Sequence, residues 1–395
     1  MMIIKYSIPL ILVLVFSQYS ACLCRAAETA PPTSDDIRRW GEDALKTIRQ
    51  DFWSDKQNLY NEHTERRGQR THPAFMWSAG VQLTALAAAA HANPTQHQQH
   101  LEEYAEILKR YWNEYDGISG YDVQPDPDNS DRYYDDNAWI VLALVEIFEI
   151  TGNRQYLDDA VETFKFVMAG EDDALGGGLY WRENEKLSKN TCTNAPAIVS
   201  ALRLYQHTRD SEYLDIARRL YEWTNKHLQD PETGLFFDNI ALDGKLDHRK
   251  FSYNSALMIR ANCLLHEITG EAKYLTEAQR IARAAENHWV DSDTGAMRDS
   301  GYFAHMLLEA FIATNQRDHD PHWIDICTKC VIYLHEQLRD SQGRYSARWD
   351  LPRGTRRRVR LLEQASAPRA FFVVARAMTE TAPAESADNQ PGDKT

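Results

Sequence analysis

Cysteine is scarce, positive charge is in deficit, and no apolar run is long enough to span a membrane comfortably. Each shortage removes a class of protein. Six cysteines occur in 395 residues, and four of them (Cys192, Cys263, Cys327 and Cys330) lie beyond the N-terminal segment read below as a signal. In an exported protein any of these is free to pair, but a chain of this length buries enough surface to fold without disulfides. Cys327 and Cys330 form a C-x-x-C inside a helical pattern with no second pair, so a zinc site is not expected. Lys and Arg number 44 against 58 Asp and Glu, a net charge of -14. That balance argues against nucleic acid or an anionic membrane as partner and suits a neutral ligand such as a sugar. H-E-x-x-H, G-x-S-x-G and a dinucleotide fingerprint are all missing, and the fourteen histidines show no ligand spacing. No metal and no cofactor are expected.

What is present begins with a secretory signal over residues 1–26. Lys5 supplies the positive start, Ile8 to Phe16 the short apolar centre, and Cys24-Arg25-Ala26 a small-x-small cleavage site. The protein is therefore expected to be secreted or periplasmic, with no stable membrane insertion. Lipid attachment at Cys22 is the secondary alternative, since Tyr19 stands where a leucine is usually wanted. Residues 27–380 read as one catalytic domain and 381–395 as a polar, Pro-containing tail. A monomer is expected.

Two kinds of helix alternate along the domain. Leu157, Ala160, Val161, Phe164 and Val167 make a single apolar stripe, the mark of an outer amphipathic helix. The same design covers Ile37–Phe52, Leu101–Trp112, Tyr213–Leu228, Tyr274–Trp289 and His322–Leu338. The other kind is apolar or small nearly all round: Ala74–Ala90, Ala138–Ile150, Ala195–Tyr205, Ala256–Ile268, Phe303–Ala313 and Ala365–Met378. Thr151-Gly152-Asn153-Arg154-Gln155-Tyr156-Leu157 recurs from Thr208 and again from Thr269, joining an apolar helix to an amphipathic one. The opposite connection repeats as well, Asp230 to Gly234 and Asp291 to Gly295, each followed four residues later by a carboxylate, Asp238 and Asp299. Six buried helices ringed by six amphipathic ones predict an all-α, closed double-layer barrel with its longer loops at one end.

At that end lies Arg132-Tyr133-Tyr134-Asp135-Asp136-Asn137-Ala138-Trp139. Two adjacent carboxylates there open a core helix. Helix capping alone would account for an isolated Asp-Asp, but the aromatics and Asn137 around it favour chemistry. Cleaving a glycosidic bond takes two carboxyl groups, one to attack or activate water and one to protonate the leaving oxygen. Neighbours at a helix start can sit ~5 Å apart, the spacing of a retaining double displacement. Mutual repulsion would raise one of their two pKa values. Other signals are weaker. Asp126 to Asp131 has the alternating oxygens of a calcium loop without its glycine or final glutamate. Gly176-Gly177-Gly178 lacks a phosphate-loop Lys-Ser/Thr and reads as a tight turn that presents aromatics. Lys189-Asn190-Thr191, Thr193-Asn194 and Ser252-Tyr253-Asn254 read first as helix starts.

Taken together and in order, Tyr134-Asp135-Asp136-Asn137-Ala138-Trp139, Gly176-Gly177-Gly178 to Trp181, Lys189-Asn190 with Asn194, Asp238, and Tyr253-Asn254 resemble glycoside hydrolase family 76. The resemblance covers roughly Asp35 to Met378. It implies an (α/α)6 barrel and retaining hydrolysis of α-1,6-linked mannan, with Asp135 as nucleophile and Asp136 as general acid/base. Tyr134 and Trp181 would then offer stacking faces. Asn137, Gly177, Gly178, Asn190 and Asn194 would line sugar subsites together with Asp238, Tyr253, Asn254 and Asp299. Cys192 between Asn190 and Asn194, and Asn254-Ser255-Ala256 in place of the usual Asn-Gln-Gly, bear on subsite detail. The alternatives are another glycosidase or a transglycosylase on the same barrel, or a glycan-binding protein without turnover.

Overall fold

The protein is described here as a computed structural model covering residues 30–64, 71–352, 354 and 358–381. The expected signal segment, the tail beyond Thr381 and part of the arginine run 353–360 lie outside the described residues. The described residues from Pro32 onward form one unit.

Among the described residues there are twelve α-helices: α1 (Ser34–Phe52), α2 (Met76–Ala92), α3 (Pro94–Leu108), α4 (Tyr134–Thr151), α5 (Arg154–Met168), α6 (Thr191–Thr208), α7 (Ser211–Leu228), α8 (Ser252–Thr269), α9 (Ala272–Trp289), α10 (Gly301–Asp318), α11 (His322–Gln337) and α12 (Leu361–Thr381). The even-numbered helices pack each on the next, and α12 returns to α2, closing an inner ring. Helices α3, α5, α7, α9 and α11 lie outside, each against the helix before it, while α1 packs on α12 and so joins the first helix to the last. Gly41 permits that closure, since a Cβ there would stand 2.9 Å from the Phe372 ring. The layers follow from the two apolar patterns. Inner α4 buries Ala138, Ile140, Val141, Ala143, Leu144, Val145 and Ile147, on faces toward both neighbours and the outer layer. Outer α5 buries one stripe, including Leu157, Ala160, Phe164 and Val167.

The repeated threonine turn has a specific geometry. The hydroxyls of Thr151, Thr208 and Thr269 donate to the carbonyl four residues back, at 2.8, 2.8 and 2.7 Å. Each also accepts the backbone N–H two residues on, at 3.1, 3.2 and 3.2 Å. One side chain thus ends the inner helix and fixes the turn into the outer one. The left-handed residue that follows is glycine at 152 and 270 but Arg209 in the third copy. The opposite turn also recurs a third time, with Asp340 accepting from Gln342 and Arg344 ahead of Tyr345.

A cyclic set of hydrogen bonds aligns the inner ring. The first N–H of α2 donates to Val123 O, that of α4 to Trp181 O, that of α6 to Asp238 O, that of α10 to Ala347 O and that of α12 to Glu62 O, all at 2.8–3.0 Å. For α8 the acceptor is a side chain, Asp299 Oδ2, at 2.9 Å. In each case the acceptor belongs to the loop leading to the next inner helix. All six N-termini are therefore held at one end, where loops converge and orphan donors would otherwise be left. Short antiparallel strands brace that end: β1 (Trp53–Ser54) with β2 (Leu59–Tyr60), β3 (Trp112–Tyr115) with β4 (Ile118–Tyr121), and β5 (Ser188–Asn190), β6 (Asn239–Ala241) and β7 (Leu246–Asp247) in one sheet. The register pairs Ser188 with Ala241 and Asn190 with Asn239. Strands of two to four residues carry no alternation signal, so this bracing was not expected from sequence.

Candidate active site

The ring places the opening residues of the inner helices around one cleft of about 630 Å³. Helix α2 contributes Trp77 and Ser78, α4 Asp135, Asp136 and Trp139, α6 Cys192, α8 Tyr253 and α10 Phe303. Six helix N-termini point their partial positive charge at this floor, which favours anions there.

Asp135 and Asp136 sit partly buried at the bottom. Burial raises the Asp135 pKa, and the Trp181 indole, the Asp136 backbone N–H and the Cys192 thiol hold it back by hydrogen bonding to the carboxylate. Trp181 Nε1 donates to Asp135 Oδ2 at 2.8 Å, and Asp136 N donates to Oδ1 at 2.9 Å. Asp136 is pushed higher still, well above the carboxylate range, by burial and then by the negative charge of Asp135. Among the described residues no hydrogen-bond donor stabilises its charged form in the same way. The two environments differ in direction: hydrogen bonds favour the charged form of Asp135, whereas burial and the neighbouring charge favour the protonated form of Asp136.

Trp181 reaches Asp135 because the preceding turn is pinned from below. Gly176, Gly177 and Gly178 all have positive φ, and a Cβ on Gly178 would lie 2.6 Å from the Trp223 ring. The buried Lys189 ammonium donates to Asp172 O, Asp172 Oδ1, Ala174 O and Gly177 O at 2.6–3.0 Å. A second buried cation, Arg132, holds the loop before α4 through Glu183 (2.8 and 2.6 Å) and the carbonyls of Asn113 and Ile118. Two internal cations thus set the two loops that flank the acid pair.

Of the other residues singled out from sequence, Trp181, Asn190, Asp238 and Tyr253 line the same cleft as the aspartates. Tyr253 stacks on Phe303 with ring centroids 4.2 Å apart. Burial raises its pKa well above the ordinary phenol value, so it remains a donor. Asp238 is raised by burial, against the opposing pull of Asn239 and Arg249.

Seven of the expected residues are not among those that line the cleft. Tyr134 is not a stacking face, for its ring is buried against Phe166 at 5.0 Å, and Tyr133 occupies the cleft instead. Asn137 is buried and bridges helix to strand, accepting from Tyr121 N at 2.7 Å and donating to Tyr121 O and Tyr133 O at 2.9 and 2.8 Å. Asn194 repeats that pattern with Leu179 N, Leu179 O and Asn190 O, at 2.9, 3.2 and 2.8 Å. Both asparagines are spent on backbone. Gly177 and Gly178 face Trp223 and contribute through the turn they form. Asn254 is fully buried in α8. Asp299 caps α8 through Ser252 N and its own chain through Ser300 N, whereas the corresponding Asp238 caps α6 with its backbone and leaves its carboxylate for the cleft.

Sequence reasoning missed Trp77, Tyr133, Phe251, Phe303, Arg249 and Arg360 as cleft residues. For Trp77 a signal existed, since it holds the second position of its inner helix, as Asp135, Cys192 and Tyr253 do of theirs.

The sequence model of glycosyl hydrolase family 76 matches residues 41–320. A family 76 α-mannanase of Bacteroides thetaiotaomicron is 28% identical and superposes with a TM-score of 0.82, covering 86% of this chain and 95% of its own. An inactive variant of the α-1,6-mannanase of Salegentibacter sp. HEL1_6 has two consecutive aspartates replaced by asparagine and is in complex with α-1,6-mannotriose. It is 23% identical, with a TM-score of 0.75, covering 87% of this chain and 100% of its own. A mannan endo-1,6-α-mannosidase of Saccharomyces cerevisiae is 27% identical over 123 residues, 29% of this chain and 27% of that protein. The chain spans at most 62% of the length of the curated relatives it matches. With the family model covering well over half of the chain, and with the barrel and its mouth already in view, the chain belongs to glycosyl hydrolase family 76.

Proposed function

We propose that this chain is an exported hydrolase that cleaves α-1,6-mannosidic linkages in mannan with retention of configuration, acting as a monomer and without a cofactor. The observation that carries the proposal is the adjacent pair Asp135 and Asp136 at the floor of an aromatic cleft, with environments that separate their protonation states. In the first step Asp135 attacks C1 of the mannosyl unit while Asp136 gives its proton to the departing glycosidic oxygen. In the second, Asp136 takes a proton from water, the water oxygen bonds to C1 and the ester to Asp135 breaks. Trp181 holds the nucleophile, and Trp77, Tyr133, Trp139 and Phe303 offer flat apolar faces to sugar rings. The Salegentibacter mannanase, inactive with two consecutive aspartates replaced and bound to α-1,6-mannotriose, supports the same reading of the pair and the substrate. The signal read in residues 1–26 supports export, with lipid attachment at Cys22 as its variant.

The test is release of reducing ends from linear α-1,6-mannan by the intact chain and by Asp135→Asn. The unaltered chain is expected to cleave and the variant to lose turnover while still binding the glycan. Equal activity in the two would end the assignment, and binding without cleavage by the unaltered chain would leave a glycan-binding protein.

A further inference from the structure

Below the acid pair the barrel is not sealed. A cavity of about 230 Å³ runs down its axis, and Trp77, Asp136 and Trp139 line both this lumen and the cleft above. One stripe of α4 follows it at helical spacing: Asp136, Trp139, Ile140, Ala143, Glu146 and Glu149. Ten residues at 1.5 Å each put Glu146 about 15 Å below Asp136. Beyond the acid pair in its first turn, Glu146 and Glu149 are the charges that interrupt the apolar run of α4.

At mid-height the lumen carries charge from five of the six inner helices. Arg369 of α12 donates to both carboxylate oxygens of Glu309 at 2.9 Å, to Glu146 at 2.6 Å and to Thr84 O at 3.0 Å. Arg203 of α6 pairs with Glu149, and Arg260 of α8 lies 3.6 Å from Glu309. Three arginines meet three glutamates, so the layer is balanced and offers no net attraction to an ion. Yet Arg260, Arg203 and Glu146 keep 18%, 20% and 22% of their side-chain surface open. A polar cavity of this size with unspent donors and acceptors holds water. Lower down the walls include His91, Gln316, Arg317 and Arg376, near the helix C-termini, so the lumen extends toward the face opposite the cleft.

We infer that this axial lumen is a water supply for Asp136, and that it sets how the second half-reaction divides between hydrolysis and transfer to another sugar. The inference rests on the roles proposed above for Asp135 and Asp136. A polymer lying along the cleft covers the approach from above and presents sugar hydroxyls that compete with water for C1. Water reaching Asp136 from below does not cross the occupied cleft. Asp136 takes one proton from it, the remaining hydroxide oxygen bonds to C1, and the electron pair of the ester bond returns to Asp135. A narrowed lumen starves this route and leaves the glycosyl ester to sugar acceptors.

Two substitutions on the α4 stripe test it in opposite directions without touching the acid pair. Ala143→Leu fills the lumen below Asp136, and Ile140→Ala widens its neck. Each variant is given α-1,6-mannotetraose at high concentration, and transfer products longer than the substrate are measured against hydrolysis products. Transfer relative to hydrolysis is expected to rise severalfold in Ala143→Leu and to fall in Ile140→Ala, with kcat/KM for cleavage unchanged because it reports the first half-reaction. A folded variant of either kind with the unaltered ratio overturns the inference alone, so either substitution decides the matter by itself. No cleavage by the unaltered chain overturns the proposed function and this inference with it.

Discussion

The indole N–H of Trp181 donates to Asp135 Oδ2 at 2.8 Å, on a side chain that is itself 41% exposed. One residue therefore faces the cleft and holds the carboxylate that is proposed to attack. Trp181→Phe keeps an aromatic face and removes the donor. A hydrogen bond to a charged group is worth about 1.5–3 kcal/mol, so kcat is expected to fall roughly 10- to 100-fold with a smaller change in KM. That bond also lowers the Asp135 pKa, and without it the acid limb of the kcat/KM profile should move to higher pH. An unmoved acid limb would show that the contact does not govern the nucleophile.

Asp136 carries the stronger upward shift, from burial and from Asp135. For an acid whose folded pKa is raised, the folded state binds the proton more tightly than the unfolded chain. The protein is then most stable below the unfolded carboxylate value and loses stability as pH climbs toward the folded one. Asp136→Asn removes this penalty. Its unfolding midpoint at pH 7 is expected to rise by roughly 2–5 °C while hydrolysis is lost. A lowered midpoint, read by calorimetry, would contradict the shared-burial account of the pair.

Asn137 and Asn194 each make three hydrogen bonds to backbone. If their work is to lock helix to loop, Asn194→Ala leaves the Leu179 N–H and carbonyl without their partners and should cost about 2–4 kcal/mol in denaturant unfolding. A full-stability variant with a raised KM for mannooligosaccharide would instead restore the sugar-contact role.

Gly178 has φ +79°, and a Cβ there would meet the Trp223 ring at 2.6 Å. Gly178→Ala is expected to lower stability by about 1–3 kcal/mol and, by moving the turn that delivers Trp181, to reduce kcat as well. Gly152, with open space around it, should lose only ~1 kcal/mol in the same exchange and keep its activity. Equal effects at the two glycines would remove the special role given to the turn.

The double layer was legible because burial on both sides leaves α4 apolar all round, whereas burial on one side leaves α5 a single stripe. The repeated Thr151, Thr208 and Thr269 were equally readable, since a turn built by one side chain must reuse it. The aspartate pair stood out because two carboxylates at the head of a core helix are unusual. What stayed hidden was direction. Tyr133 and Tyr134 are chemically alike, and only the helix phase decides that the first meets the cleft and the second meets Phe166. Asp238 and Asp299 hold equivalent places in a repeat, yet one N–H contact sends the first to the cleft and the second to a helix cap. Lys189 read only as part of a helix start, because the acceptors that a buried ammonium needs come from a turn 12 to 17 residues away.

The central claim is that Asp135 and Asp136 carry out a double displacement on an α-1,6-mannosidic bond. Proton NMR of the fragment that water frees from the enzyme, recorded early in the hydrolysis of an α-1,6-mannooligosaccharide and before mutarotation, reads it most directly. The account predicts that the new reducing end appears as the α-anomer. Release of the β-anomer would contradict it.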